Sequence, residues 1–549
     1  MNKLGDIFKG EVHTDKVTCA KYAHDASIYE MIPEAVLFPR DADDIKNLVK
    51  FVSNNKHAYP DLSITTQAAA TDMTGAAIGN SLTIDMTQHF STIHTLLDNV
   101  LHTQPGVFMR DIDPLLSDHG LMLGCVPASR FSCTIGGMVA NNSGGEQSLR
   151  YGNTDRSTRE LSVVFADGKE YTLKPISKRA LDILIKKDTF EASIYRQVYE
   201  LIEANYDLIK NARPQVNKNA MGYNLWSVWD RETGIFDLTQ LITGSQGTLG
   251  VITGIKIQAI AKPKHSGLLL AYLDNLKSLG DIIPLVMSHH PATFEGFDNI
   301  TFSLGIKYFN IFRERLGTKD YLKQQAALLV SVAKFKGHLP SIVLMIGFDG
   351  DSYQSVNDKI IALTDDFKSH KIHIRTEIEG NEDNSEPFWT IRRASLKLLR
   401  QRVHSKYAVA FMDDMAVQPQ YIPEFFPKVR QVIRKYKLAA TIAGHFGDGN
   451  FHIIPLMDIT DPAELLKLEP AMRELIPIVL QYKGTLSGEH NDGMVRGPWL
   501  AAMFGDEMYT LFRHTKEIFD PFYIFNPHKK TDASWDYSMN HIRHSNDKR

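Results

Sequence analysis

The chain has 549 residues, and its 61 lysines and arginines against 64 aspartates and glutamates leave a formal charge of −3, which argues against a nucleic-acid-binding surface. A hydrophobic content of 43% supplies large cores, and the length fits about two to four domains. Three cysteines (Cys19, Cys125 and Cys133) are too few for a disulfide framework or a four-cysteine iron–sulfur cluster, so any electron relay lies in another subunit or a diffusible acceptor.

The opening MNKLGDIFKGEVHTDK has no apolar h-region and does not read as a secretory signal. No stretch approaches ~20 continuous apolar residues, so no membrane-spanning helix is expected. The expectation is a cytoplasmic protein, with peripheral attachment at the inner face of the membrane still compatible.

AVLFP, starting at Ala35, reads as a strand. DADDIKNLVKFV follows, with Ile45, Leu48, Val49 and Val52 at helical spacing behind a capping Asp41. LSITT then reads as a second strand, which enters the small-residue loop QAAATDMTGAAIGN and leaves through LTIDM. Loops of the same kind recur in PASRFSCTIGGMVANNSGG at 127–145 and in LITGSQGTLGVI at 241–252. Such loops let the backbone approach a ligand closely, and runs of N–H groups cradle an anion such as a pyrophosphate. None is a Walker A loop or a G-x-G-x-x-G opening a helix, so a dinucleotide site here is neither of the P-loop nor of the Rossmann type.

The polar NARPQVNKN at 211–219 is expected to be a surface loop. Residues 265–440 mix strands (GLLLAYL, SIVLMIGF, YAVAFMDDMAV) with helices at 320–335, 355–368 and 422–436, a second α+β domain. In AGHFGDGNFHIIPL, His445 and His452 flank a tight turn before a buried strand. GDEMYTLFRHTKEIFDPF reads as an amphipathic helix closed by Pro521, and the polar tail after Lys530 is expected to be mobile.

Together these motifs carry a family resemblance. IPEAVLFPRDADDIKNLVKF, AATDMTGAAIG, PASRFSCTIGGMVANNSGGEQSLRYG and GSQGTLGVITG resemble the FAD-binding half of vanillyl-alcohol-oxidase type flavoproteins. GHFGDGNFHIIPL, GTLSGEHNDGMVRGPWL and FDPFYIFNPHK resemble the C-terminal half of the FAD-linked D-2-hydroxy acid dehydrogenases. That group includes D-lactate dehydrogenase, the glycolate oxidase FAD subunit and D-2-hydroxyglutarate dehydrogenase. The resemblance runs from about residue 25 to 530.

The resemblance implies an α+β fold: a two-subdomain FAD-binding domain of the vanillyl-alcohol-oxidase (PCMH) type at 1–263, an α+β cap domain at 264–485, and a segment at 486–549 returning to the FAD domain. It implies a pyrophosphate loop of Ala68, Ala69, Ala70, Thr71 and Gly75. Pro127, Ser129, Thr134, Gly136, Gly137, Asn141, Gly144 and Gly152 would line the flavin. Gly244, Gly247, Gly250, Ile252 and Asn526 would complete the site. By the same resemblance Arg392 binds the substrate carboxylate through its planar fork, with a surface helix arginine as the plain alternative.

Oxidising a 2-hydroxy acid removes a hydroxyl proton as well as a hydride, and an alcohol is a very weak acid. A divalent metal on the hydroxyl oxygen eases that loss, and a nearby base takes the proton. His445 and His452 suit zinc, and Glu489 in SGEHND is the third ligand, with the adjacent His490 as base, as in the similar dehydrogenases. Asn450 would ligate, orient or simply serve the turn, Asp448 would cap it, and Asp413 and Asp414 would shape the pocket.

The expected function is FAD-dependent oxidation of a D-2-hydroxy acid, D-2-hydroxyglutarate or D-lactate first, with electrons leaving to an iron–sulfur subunit, an electron-transfer flavoprotein or a quinone. The alternatives are a transferase of alkylglycerone-phosphate-synthase type, a flavin-independent zinc hydrolase, and a degenerate non-catalytic flavoprotein. Three departures from the family pattern matter. Ala68–Ala70 replace glycines and resist positive φ, Gln246 stands where Glu is common, and Asn491 replaces a Gly where a side chain threatens the substrate or His490.

Overall fold

The structure is a computed structural model, and it describes residues 7–335, 338–379, 382–393 and 406–544. No helix among the described residues is long and apolar enough to cross a membrane.

The first layer is a sheet of four strands in the order Glu11–His13, Ala35–Phe38, Leu82–Asp85 and Ile64–Gln67. Its last three strands are parallel. The helix Ala42–Asn55 covers it, and Asp41 caps that helix by accepting from Asp44 N–H at 3.1 Å. Ile45, Leu48, Val49 and Val52 are fully buried in one core with Leu37, Leu82 and Ile84. Each such side chain contributes roughly 1.5–3 kcal/mol of transfer free energy, so this stripe fixes the helix to the sheet.

An antiparallel sheet follows, built around the long strand Val251–Ala261, which pairs with Val100–Thr103, Leu121–Leu123 and Thr158–Val164. The third sheet is the largest, with eight strands in antiparallel pairs. It contains His265–Leu273, Ile342–Gly350, Thr293–Asp298, Ala439–His445 and Asn450–Met457. Helices Arg313–Ala333, Tyr353–Ser369 and Ile422–Lys435 belong to this part, close to where the periodicity predicts them.

Three local expectations are corrected. YAVAFMDDMAV is not one strand but two short ones, Tyr407–Ala408 and Met415–Ala416, separated by a turn that carries Asp413 and Asp414. The 211–219 loop is not all surface: Lys218 is fully buried. Asn211, Arg213 and Gln215 stay exposed, while Lys218 turns inward to Glu489 and Asp448. The stretch after Lys530 is tied down as far as Arg543. Helix Trp535–Asn540 stacks Trp535 against Trp499 at 5.3 Å, Ile542 bridges to Tyr29, and Arg543 donates to the carbonyls of Tyr29 and Asp25.

The C-terminal part also reaches the first sheet. Ile64 N–H donates to Ile524 O at 2.7 Å and Asn526 N–H to Ile64 O at 2.8 Å, so the stretch after Pro521 extends that sheet at its edge.

Candidate functional site

The two histidines sit on a hairpin. Ala439–His445 runs into a short turn, and Asn450–Met457 returns, with His445 opposite Asn450 and Ala443 opposite His452. That register puts both imidazoles on one face as diagonal neighbours, their rings 5.2 Å apart. Gly449 closes the turn at φ +63, and a Cβ there would lie 1.8 Å from Val417 O. Only glycine serves this position.

His445 Nε2 lies 3.2 Å and His452 Nε2 3.3 Å from the same oxygen, Glu489 Oε1. Two ligand atoms on a tetrahedral zinc with bonds of ~2.0–2.1 Å stand about 3.3 Å apart, so each of these two His–Glu separations matches a pair of ligands on one ion. The far nitrogen of each ring is anchored by a buried carboxylate. His445 Nδ1 meets Glu295 Oε1 at 2.6 Å and His452 Nδ1 meets Asp413 Oδ1 at 3.1 Å. This is the outer arrangement that fixes the tautomer of a metal-binding histidine.

His490 stacks on His452 at 5.0 Å. Its Nδ1 lies 3.0 Å from Asp413 Oδ2, within ion-pair reach but off the line of a hydrogen bond. Its Nε2 stands 3.8 Å from Glu489 Oε1. Burial opposes a charge on His490, but Asp414 and Asp413 outweigh it and raise its pKa to about 9.

Asp414, His452, Glu489 and His490 also bring ligand atoms within 4.8 Å of one another. Asp414 is nevertheless committed elsewhere. Its carboxylate accepts from the N–H groups of Glu489 and His490, from Ser487 Oγ and from Asn450 Nδ2. It shapes the loop that carries Glu489.

Lys218, fully buried, donates to Glu489 Oε2 at 2.9 Å and to Gly145 O at 3.1 Å, and lies 3.5 Å from Asp448. Burial works against the Glu489 charge, but Lys218 and His445 hold its carboxyl well below the usual range. The loop Ser143–Gly145 comes so close that a Cβ on Gly144 would sit 2.5 Å from Glu489 Oε2. Around this cluster three buried cations (Lys218, Arg392 and Arg496) face five buried carboxylates (Glu295, Asp413, Asp414, Asp448 and Glu489). Protons on His445 and His490, both held to higher pKa by the surrounding carboxylates, balance that charge here, and a divalent ion would do the same once the imidazoles are neutral.

Arg392 is not a surface residue: its guanidinium is buried and partly engaged, and Nη2 has no hydrogen-bond partner among the described residues. It is 6% exposed, with Nε donating to Glu295 Oε2 at 3.0 Å and Nη2 at 2.8 Å from the same oxygen. Its neighbour Arg393 pairs with Glu146.

The expected cofactor loops are stitched together at Gln246. Its Nε2 donates to Thr74 Oγ1, its Oε1 accepts from Gly493 N–H, and its own N–H reaches Ala140 O. An amide can donate and accept at once, which a carboxylate in its place could not. Asn526 Nδ2 joins the same knot through Ala76 O and Gln246 O, both at 2.8 Å. Gly244 N–H donates to Val139 O, and Gly247, Gly250 and Ile252 continue into the strand Val251–Ala261.

Thr134 caps the helix Ile135–Asn141 by accepting from Gly137 N–H at 3.2 Å, and Gly136 packs on Pro105. Asn141 Nδ2 donates to Glu489 O at 2.8 Å while its buried Oδ1 has no partner. Pro127 and Ser129 lie in the preceding loop, and Gly152 ends the turn after it. The half-buried Ala68, Ala69, Ala70, Thr71, Asp72 and Met73 donate no backbone hydrogen bond to any described residue, and Gly75 follows them. A run of free N–H groups is what a pyrophosphate needs, so the residues present fit FAD. Of the three alanines, only Ala70 takes positive φ, at 50°.

Asn491 does not reach toward His490 as the sequence suggested. It adopts φ 68 and is fully buried, with Nδ2 donating to Asn141 O and Gly244 O and Oδ1 accepting from Lys530 Nζ. Asn tolerates the left-handed region that its glycine counterpart would occupy.

Glu295 and Lys218 escape a motif reading. A lone glutamate inside the apolar strand ATFEGFD was the available signal for the first, since such a charge must find a partner.

Two family models match the chain: the FAD binding domain over residues 33–174 and the C-terminal domain of FAD linked oxidases over 262–530. D-2-hydroxyglutarate dehydrogenase of Pseudomonas putida is 26% identical over 528 residues, covering 95% of this chain and 50% of that protein. Glycolate oxidase subunit GlcD of Bacillus subtilis is 26% identical over 516 residues, covering 92% of this chain and 91% of its own. The chain spans about half the length of the D-2-hydroxyglutarate dehydrogenases it matches. Among solved structures, 4-ethylphenol oxidase of Gulosibacter chungangensis superposes with a TM-score of 0.66 at 13% identity, covering 96% of this chain and 95% of the other. Alkyldihydroxyacetonephosphate synthase superposes at 0.62 and 15% identity, covering 96% and 84%. At such identities these superpositions speak for the fold alone, the PCMH-type flavoprotein fold.

Proposed function

The chain belongs to the FAD-linked oxidases, and from that premise we propose that it oxidises a D-2-hydroxy acid to the 2-oxo acid. The observation that carries the reading is the convergence of His445 Nε2 and His452 Nε2 on Glu489 Oε1, with His490 beside them.

In this reading His445, His452 and Glu489 hold a divalent ion, for which zinc suits the donor set. The ion would supply Lewis acidity at the substrate hydroxyl. FAD would supply the hydride acceptor, held by the loops at Ala68–Gly75, 127–152 and 244–252 and by Asn526. Asp413 faces the Nδ1 edge of His490 at ion-pair distance, and Nε2, on the side of Glu489, is the atom that would take the hydroxyl proton.

D-2-hydroxyglutarate and D-lactate are the first substrates to try, since proteins of those names are among the relatives. The electrons then leave to a separate acceptor such as an iron–sulfur subunit, flavoprotein or quinone.

The test is the visible spectrum of the purified protein, followed anaerobically on adding D- and L-2-hydroxy acids with and without prior chelation. Bleaching by a D-acid only, and only with metal present, is the expected result. A yellow protein that no hydroxy acid bleaches would sink the dehydrogenase reading and favour a redox-neutral transferase. A colourless protein that retains metal would remove the flavin from the account.

A further inference from the structure

Glu295 touches two groups with different expected tasks. It lies in the strand Thr293–Asp298, directly opposite His445 in the antiparallel register, and is 1% exposed. One oxygen takes His445 Nδ1 at 2.6 Å, and the other takes Arg392 Nε at 3.0 Å with Nη2 at 2.8 Å. Both oxygens are therefore occupied, each by a donor that a carboxylate alone can satisfy simultaneously.

We propose that Glu295 is a positioning residue that couples the metal centre to the substrate anchor, a role that rests on the functional reading above. On the metal side, accepting Nδ1–H fixes the tautomer of His445 that leaves Nε2 bare toward Glu489. On the substrate side, it holds the Nε edge of the Arg392 guanidinium, so a substrate carboxylate is met by the remaining N–H edge at a set angle. Arg392 thus works as a half-engaged arginine. Its charge is balanced by Glu295 before substrate arrives, which favours a small 2-hydroxy acid bound by the fork and the metal together over a bulky polyanion needing a fully free guanidinium.

The isosteric change Glu295→Gln is diagnostic because an amide has one accepting and one donating face. If its oxygen faces His445, its NH2 meets the donors of Arg392. If it flips, its NH2 meets His445 Nδ1 and forces the proton onto Nε2, which then cannot ligate. Either way one arm fails while the buried volume is unchanged.

Flavin-loaded wild type, Glu295→Gln and Glu295→Asp are compared for zinc retention against a competing chelator and for KM with the best D-2-hydroxy acid. In Glu295→Gln we expect zinc affinity to fall about 10–100-fold or KM to rise by a similar factor, with flavin content intact. Zinc affinity and KM both unchanged in a flavin-bound Glu295→Gln protein would overturn the role. If that variant takes up no flavin, Glu295→Asp decides: its carboxylate is too short to touch both partners, so zinc affinity must fall or KM must rise, and an unchanged pair overturns the inference. A wild type that holds no metal overturns this inference together with the functional reading, whereas variants that match a metal-holding wild type overturn this inference alone.

Discussion

Lys218 donates to Glu489 Oε2 across 2.9 Å, while the other oxygen of that carboxylate, Oε1, faces His445 Nε2 and His452 Nε2. Removing the lysine as Lys218→Met leaves Glu489 and Asp448 buried without their cation. Breaking a buried pair from one side costs about 3–5 kcal/mol, so the melting temperature of the metal-free protein should fall. Added zinc should recover part of the loss, since the ion replaces the missing charge. A thermal melt with and without zinc checks this, and equal losses in both conditions would contradict it.

Asp413 serves His452 and His490 with its two oxygens. In Asp413→Asn only one oxygen remains to accept. Zinc affinity should drop about 10–100-fold, as for other outer-sphere changes, and kcat should fall with it. Chelator competition and steady-state rates report the two effects separately.

The alanines of the 68–70 loop differ in what a glycine would do. Ala70 sits at φ 50, where an L-residue carries about 1–2 kcal/mol of strain, more than the roughly 0.4–1 kcal/mol a glycine loses through unfolded-chain entropy. Ala70→Gly should be neutral to stabilising, by up to about 1 kcal/mol. Ala69→Gly, where φ is ordinary, should destabilise by the entropic amount alone. Denaturant midpoints of the pair decide, and the same sign in both would count against the strain.

Asn491→Gly preserves the left-handed backbone but deletes the bonds to Asn141 O, Gly244 O and Lys530 Nζ. We expect a loss of about 1–3 kcal/mol in stability with little change in kcat, because the side chain points away from His490. A large fall in kcat in the folded variant would return Asn491 to the substrate pocket.

Asp25 gives a pH dependence. Burial and the neighbouring Asp72 push its carboxyl up from an ordinary value near 4 to about 8. The native state therefore keeps a proton that the unfolded chain releases, and stability is highest at the acid end and falls as pH rises from about 4 to 8. Lys529, lowered to about 8 by burial, acts in the opposite sense only above that window. Asp25→Asn should flatten the slope of melting temperature between pH 5 and 8, and an unchanged slope would show that Asp25 is not its source.

Much of this was legible in the sequence because it is local. The period of Ile45, Leu48, Val49 and Val52 gave the helix and its buried face, and the glycines between His445 and His452 gave a tight turn leading into a buried strand. Glu489 and His490 adjoin in one short motif. What stayed hidden depends on pairing between distant segments. The opposition of Glu295 and His445 is a fact of sheet register, which no window of sequence contains. Lys218 looked like loop polarity because composition does not say which way a loop faces. Arg392 was recognisable as important, but its partner was not. The concern over Asn491 came from treating a side chain as an obstacle when its backbone angle turns it aside.

The small-residue loop at residues 67–76 is bonded at Ala76 by Asn526, some 450 residues later, and the N-terminal stretch Asp25–Met31 is held by Arg543. During synthesis the first sheet and its helix emerge early, yet the knot through Ala76, Gln246 and Asn526 cannot close until nearly all of this sequence has left the ribosome. On the functional reading proposed above, flavin capture would thereby wait until the intervening sheet of eight strands has had time to form. Loss of a short C-terminal stretch that includes Asn526 would spare most of the core yet leave a protein unable to retain its flavin.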